Sequence, residues 1–152
     1  MTPDALTSRP ATEADVPFLL ALRRQTMHAH LAASGADTSE AHHLERLRRD
    51  FGHARVLELD GRPVGLLKVR RASGEWEIVQ IQLGPELQGK GLGRALLQQV
   101  IDEATAAGAG LRLSVLKANP ARRLYERLGF VVVGEKAQEY VMRRAAASDR
   151  GP

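Results

Sequence analysis

Residues 85–97 read PELQGKGLGRALL, with glycines at 89, 91 and 93, a lysine among them, and then an abrupt change to apolar residues. The stretch before it, EWEIVQIQL (75–83), alternates as a strand does. Trp76, Ile78, Gln80 and Gln82 are expected on one face, and Glu77, Val79, Ile81 and Leu83 on the other. The stretch after it carries Leu92, Leu96, Leu97, Val100, Ile101 and Ala104 at helical spacing. The loop therefore joins a strand to a helix. Glycine lets the backbone enter positive φ and lets a ligand approach without meeting a Cβ. Free N–H groups and the dipole at a helix start attract anions, and Lys90 and Arg94 add positive charge. A diphosphate is the natural occupant.

Two familiar phosphate loops do not fit. A P-loop needs Lys-Ser/Thr after its last glycine, where this chain has Arg94 and Ala95 following Gly93. The dinucleotide fingerprint would place the third glycine one residue beyond Gly93.

Outward from the loop the chain reads as one α/β or α+β unit. Downstream, the helix should stop near Gly108, LRLSVL (111–116) is a strand, and NPARRLYERLGF (119–130) is a compact helix. Asn119 is its expected N-cap, Pro120 its first residue, and Gly129 lies just past its end. FVVVGE (130–135) and EYVMRR (139–144) are two closing strands. Upstream, RVLELDGRPVGLLKVRR (55–71) is a hairpin around Asp60-Gly61. Thr12 and Asp15 form a capping box before a helix with Phe18, Leu19 and Leu22 on its apolar face. LAASGADTSEAHH (31–43) reads as a loop between helices, and a short helix is expected from Ser39 to Phe51, with Leu44, Leu47 and Phe51 inward. ALTSRPAT (5–12) has weak strand character. The order β-α-α-β-β-β-α-β-α-β-β implies a right-handed crossover in a mixed sheet. One domain over 1–144 is expected, with 145–152 a flexible tail.

The 152 residues suffice for a real core, and 43% apolar with 26% charged residues is a globular composition rather than a disordered one. No apolar run approaches the ~20 residues that cross a bilayer, and MTPDALTSRP lacks an export pattern. No membrane role and a cytoplasmic location are the expectations. Without cysteine there is no disulfide, thiolate metal site or cysteinyl acyl-enzyme. A net charge of +4 suits an acidic partner, but the three Phe, two Tyr and one Trp do not alternate with Lys and Arg. No nucleic-acid platform is expected. Basic runs such as LRR (22–24), ERLRRD (45–50) and ARRLYER (121–127) read mainly as solvated helix faces. His28, His30, His42 and His43 have neither the helical spacing nor the acidic partners of a zinc site, so no metal is expected.

The loop Gln88-x-x-Gly91-x-Gly93, preceded by LGPELQ, resembles the acyl-CoA-binding loop of the GNAT N-acetyltransferase superfamily. The segment with Asn119, Ala121, Tyr125, Gly129 and Phe130 is similar to a second motif of that family. The resemblance runs from about Asp60 to Met142. It implies a mixed, mainly antiparallel twisted sheet of six to seven strands with about four helices, whose fourth and fifth strands splay to admit acetyl-CoA. By the same resemblance the backbone of Ile81, Gln82 and Leu83 meets the pantetheine arm. The amides of Gln88, Gly89, Lys90, Gly91, Leu92, Gly93 and Arg94 cradle the pyrophosphate, Asn119 bonds to the arm, and Arg122 approaches the phosphates.

The family transfers acetyl to an amine by direct attack, without an acyl-enzyme. An ammonium with a pKa near ~10 must first lose its proton, and the departing thiolate must gain one. Tyr125, by its motif position, is the candidate acid. Glu77, eleven residues before Gln88, is the candidate base, with an ordered water as the alternative. The N–H of Ile81 is placed to polarise the thioester carbonyl. Gln80 and Gln82 are candidates to order water or touch the acceptor. The region between the first two helices, with Arg24, Met27 and His28, forms the acceptor wall in the family. Acetyl-CoA and an amine acceptor are thus the expected partners, with a homodimer built on the strands after Phe130 as a further one. A non-catalytic acyl-CoA-binding module of the same fold is the alternative.

Overall fold

The computed structural model describes residues 6–147. Residues 148–152 of the expected tail lie outside them, while Ala146, within that tail, is buried. The chain folds as β1 (Leu6–Pro10), α1 (Val16–Ala33), α2 (Glu40–Arg48), β2 (Ala54–Leu59), β3 (Arg62–Arg71), β4 (Glu75–Leu83), α3 (Leu92–Ala106), β5 (Gly110–Leu116), α4 (Ala121–Arg127), β6 (Val131–Glu135) and β7 (Glu139–Arg144). The strands make one seven-stranded sheet in the order β1-β2-β3-β4-β5-β7-β6. Only β4 and β5 run parallel, joined by the α3 crossover. The remaining pairs are antiparallel.

Local chemistry explains most boundaries. Thr12 and Asp15 form the capping box ahead of α1, with the Thr12 N–H donating to Asp15 Oδ2 at 2.8 Å. Arg9 holds the same carboxylate through both terminal nitrogens at 2.8 Å, tying β1 to this turn. Asp60 and Gly61, at φ 53° and 76°, form the tight β2–β3 turn that their sequence announces. Ser39 caps α2 by accepting from the His42 N–H at 3.2 Å. Gly108 and Gly129 lie in the left-handed region just past α3 and α4.

Two apolar layers sandwich the sheet. On one face Trp76, Ile78, Leu67 and Val69 pack with Leu92, Leu96, Val100 and Ala104 of α3 and with Tyr125 and Leu128 near α4. On the other, Val56 and Leu66 meet Leu19 and Leu22 of α1 and Leu47 of α2.

Three expectations need correction. α1 continues to Ala33, so the loop shrinks to residues 34–39 and His42 and His43 lie on α2. α2 ends at Arg48, and Leu44 is exposed rather than inward. The third matters most for function. In β4 the simple alternation fails, because Lys68 pairs with Gln80 and Val69 with Ile78, which leaves Val79 as an extra, bulged residue. Side chains change face there. Trp76 and Ile78 face α3, as do Ile81 and Leu83 after the bulge. Gln80 and Gln82 thereby turn toward α1 and α2.

Candidate active site

β4 and β5 pair only at Glu75–Gly110, Trp76–Leu111 and Glu77–Arg112. Both strands continue, to Leu83 and Leu116, without pairing further. The sheet is therefore open at its centre from Ile78 onward, where strand backbone would otherwise find its ladder partner. Two cavities meet at this gap. The larger, of about 360 Å³, lies between β4, β5, α1 and α2. The second, of about 190 Å³, runs along Ile81, Gln82 and Leu83 to Gln88 and Gly93 and past Asn119, Ala121 and Leu124. Both are lined by Met27, Ile81, Gln82, Asn119 and Tyr125.

At the far end of the second cavity stands the glycine loop. Gly89 and Gly91 have φ of 77° and 73°, and a Cβ on either would project into open space. Gly91 sits immediately before α3. The N–H groups of Gly89, Lys90, Gly91, Leu92, Gly93 and Arg94 donate to no described residue, whereas those of Gln88 and Ala95 on either side do. That unbroken row of free donors at a helix start is an anion cradle. Lys90 and Arg94 are exposed beside it and form no ion pair with any described residue, and the Leu92 side chain is buried in the core, so that residue offers only backbone. Gln88 donates to the Leu83 carbonyl at 3.5 Å, linking loop to strand.

Asn119 behaves as a cap in all but register. Its Oδ1 accepts from the Ala121 N–H at 3.0 Å, with Pro120 already in helical conformation. Arg122 lies over the Tyr140 ring at 4.4 Å and pairs with Glu126 at 3.4 Å, beside an open surface cavity shared with Asn119. Tyr125 is 8% exposed and packs edge-on to Phe130 at 5.9 Å. Its hydroxyl has no hydrogen-bond partner among the described residues. Burial pushes that phenol up to about 12, so it stays protonated across the neutral range.

The opposite wall is cationic. Glu77 lines the larger cavity and is ion-paired with Arg70, which also holds Asp50 at 2.9 Å. Arg23, Arg46, Arg49 and His42 line the same space. Arg23 is 4% exposed, so reading its LRR run as a solvated face is corrected. Lys68 is fully buried and donates to the carbonyls of Arg46, Leu47 and Arg49 at 3.3, 2.8 and 2.6 Å. It thus caps the C-terminal end of α2 from the sheet. Burial pulls its ammonium down to about 8. Gln80 Nε2 donates to the Arg46 carbonyl at 3.2 Å, and the Oε1 atoms of Gln80 and Gln82 are buried without donors. His28 and His43 rings are 6.0 Å apart, and no group of three His, Asp or Glu among the described residues is arranged for a metal.

Arg23, Arg46 and Lys68 were missed in the sequence. Their one available signal was position on a helix or strand otherwise destined for the core.

Residues 19–130, from within α1 through the second motif, match the sequence profile of the acetyltransferase (GNAT) family. The chain belongs to that family. No curated protein matches it in sequence. Its fold is similar to that of the PaiA N-acetyltransferase from Thermoplasma acidophilum in complex with coenzyme A, with a TM-score of 0.72 and 18% identity over 95% of this chain and 99% of that one. It is similar to the ribosomal-protein-S18-alanine N-acetyltransferase from Escherichia coli, with a TM-score of 0.67 and 23% identity over 97% and 99% of the two chains. N-acetylglutamate synthase from Neisseria gonorrhoeae, complexed with coenzyme A and N-acetyl-glutamate, gives 0.66 and 22% over 91% of this chain and 34% of that one. As a GNAT acetyltransferase the chain uses acetyl-CoA as co-substrate. The open centre of the sheet and the free loop amides fit such a molecule.

Proposed function

We propose that this GNAT protein moves the acetyl group of acetyl-CoA to a primary amine by direct attack in a ternary complex. The observation that carries the reading is Tyr125, a buried and protonated phenol with an unpartnered hydroxyl, lining both cavities where they meet. In this reading the loop amides from Gln88 to Arg94 hold the pyrophosphate, aided by Lys90 and Arg94, with Arg122 near the phosphates. The backbone of Ile81, Gln82 and Leu83 pairs with the pantetheine arm, and Asn119 bonds to it. The thioester carbonyl then lies at the junction, where the Ile81 N–H polarises it. The amine approaches from the larger cavity.

As the new C–N bond forms, Glu77 takes the amine proton. Its carboxylate is held by Arg70, so it acts through a water or after exchanging that partner. As the C–S bond breaks, Tyr125 protonates the sulfur. The phenol keeps its proton at neutral pH, so it is ready to hydrogen-bond to the sulfur as negative charge develops there and to pass the proton as the thiolate departs. The acceptor is a small amine, an amino acid or a protein N-terminus. Among the described residues no helix is long and apolar enough to cross a membrane, and the reading places the enzyme in the cytoplasm, without nucleic acid. A homodimer through β6 and β7 belongs to the same reading.

The test combines purified protein, acetyl-CoA and pooled amines, amino acids and peptides, with thiol release and product mass as readouts. Thiol release with one acetylated product is expected, alongside thermal stabilisation by acetyl-CoA. Stabilisation without turnover across the pool would favour the non-catalytic binding module. The absence of both turnover and stabilisation would refute the reading of the loop.

A further inference from the structure

We propose that the acceptor amine carries a carboxylate, and that Arg23 of α1 and Arg46 of α2 hold it against the wall of the larger cavity. This rests on the acetyl-transfer reading above and narrows its acceptor to small amino acids and related amino carboxylates.

The argument begins with a charge that the fold leaves unanswered. Arg23 lines the cavity, is 4% exposed, and makes no hydrogen bond or ion pair to any described residue. Its Nε is fully buried without an acceptor. Arg46 lines the same cavity and also has no carboxylate partner among the described residues. Burial, with the neighbouring Arg46 charge adding to it and Glu45 opposing, lowers the Arg23 guanidinium to about 10. It remains charged at neutral pH.

The other charges around the cavity are already engaged. Arg49 pairs with Glu45, Glu77 with Arg70, and Lys136 with Glu139 at 3.9 Å. Lys68, behind the wall, is taken by the α2 carbonyls. What remains is a pair of guanidiniums facing one space. An unpaired buried ion is strongly unfavourable, and an apolar side chain of similar volume would serve packing better. A carboxylate between them removes the penalty, and the planar guanidinium fork suits one.

The phosphates of acetyl-CoA do not explain these arginines. The free loop amides, Lys90 and Arg94 stand beyond the second cavity, which Arg23 and Arg46 do not line. The opposite pole of the acceptor also has a place. Gln80 and Gln82, turned to this side by the Val79 bulge, present buried Oε1 atoms without donors. An amine N–H satisfies such an oxygen. At about 360 Å³ the cavity is at the small end of ligand sites, and its cationic wall disfavours polyamines.

The experiment measures acetyl-CoA turnover with the free amino acids, each matched to its carboxamide and its decarboxylated amine. Wild type is expected to prefer the acid of a pair by ~30-fold or more in kcat/KM. Arg23→Met should abolish that preference by raising KM, with acetyl-CoA Kd unchanged within about twofold, and Arg23→Lys should restore it in part. Melting temperatures check folding, and Arg46→Gln, at a half-exposed site, gives the same readout should Arg23→Met not fold. Equal or better turnover of amides or decarboxylated amines overturns the proposal. So does an intact preference in Arg23→Met, or bound acetyl-CoA with no amino carboxylate acetylated. Failure of acetyl-CoA to bind at all is a separate result, which removes the acetyl-transfer reading and this inference together.

Discussion

Replacing Tyr125 with Phe separates chemistry from packing in a single atom. The ring, 8% exposed and set against Phe130 at 5.9 Å, stays where it is. The hydroxyl it loses bonds to no described residue and reaches the cavities that Tyr125 lines, so its loss breaks no bond within the fold. Tyr125→Phe should therefore fold as well as wild type. A change of about 1 kcal/mol would move Tm by roughly 2–4 °C in a domain of this size. Catalysis should move the opposite way. A positioned general acid contributes on the order of 10²–10⁴-fold, or about 2.7–5.5 kcal/mol of barrier. The decisive readout is kcat by thiol release, with acetyl-CoA Kd measured in parallel. A 10²-fold or greater loss in kcat with unchanged Kd and an undiminished Tm is expected. Because burial holds the phenol up to about 12, no loss of kcat between pH 8 and 10 should trace to its ionisation. A kcat within threefold of wild type would refute the assignment of Tyr125 as the acid.

Three further outcomes follow from the same geometry. Gly91→Ala meets no steric clash but must hold φ near 73°, so it should lose about 1–2 kcal/mol of stability and weaken acetyl-CoA on the order of tenfold in a calorimetric titration. Lys68→Met strands three carbonyls at the end of α2 and should lower stability by about 2–4 kcal/mol in urea unfolding, the relief of a buried charge offsetting part of the lost bonds. Hydrogen bonds from Arg9 bring the Asp15 carboxyl from 3.8 down to about 2. The unfolded chain therefore binds more protons in that window, and stability should fall as pH drops from about 4 to about 2. In Asp15→Asn this part of the acid limb should be missing from melting curves.

The succession of elements along the chain and the loop were legible because each is written locally. Asp60-Gly61 demands a tight turn, Gly91 a left-handed helix entry, and the Leu92–Ala104 stripe a one-sided helix. The second cavity followed from two motifs that lie far apart in sequence yet share its lining, Gln88 and Gly93 with Asn119 and Tyr125. The bulge was invisible. EWEIVQIQL alternates cleanly, and nothing local reveals that β3 supplies one residue fewer opposite Val79. The fates of Arg23 and Lys68 were hidden for a different reason. Whether a basic side chain is solvated or enclosed depends on what packs over it, and here that is decided by α1 and α2 closing onto the sheet. The loop expected over residues 31–43 was misjudged because Leu31, Ala32 and Ala33, all strong helix formers, carry α1 through to Ala33, and Ser39 already caps α2.

The short β4–β5 ladder has a mechanical consequence. Three residue pairs and the α3 crossover form the seam between a four-stranded block and a three-stranded one. An extended molecule laid in the gap acts as a temporary eighth strand, bridging blocks that the protein's own backbone leaves apart. If acetyl-CoA lies there, as proposed, the domain borrows stiffness from its co-substrate. Amide exchange along Ile78–Leu83 and Leu113–Leu116 should slow on loading and quicken once the spent thiol departs, giving each turnover its own cycle of tightening and release.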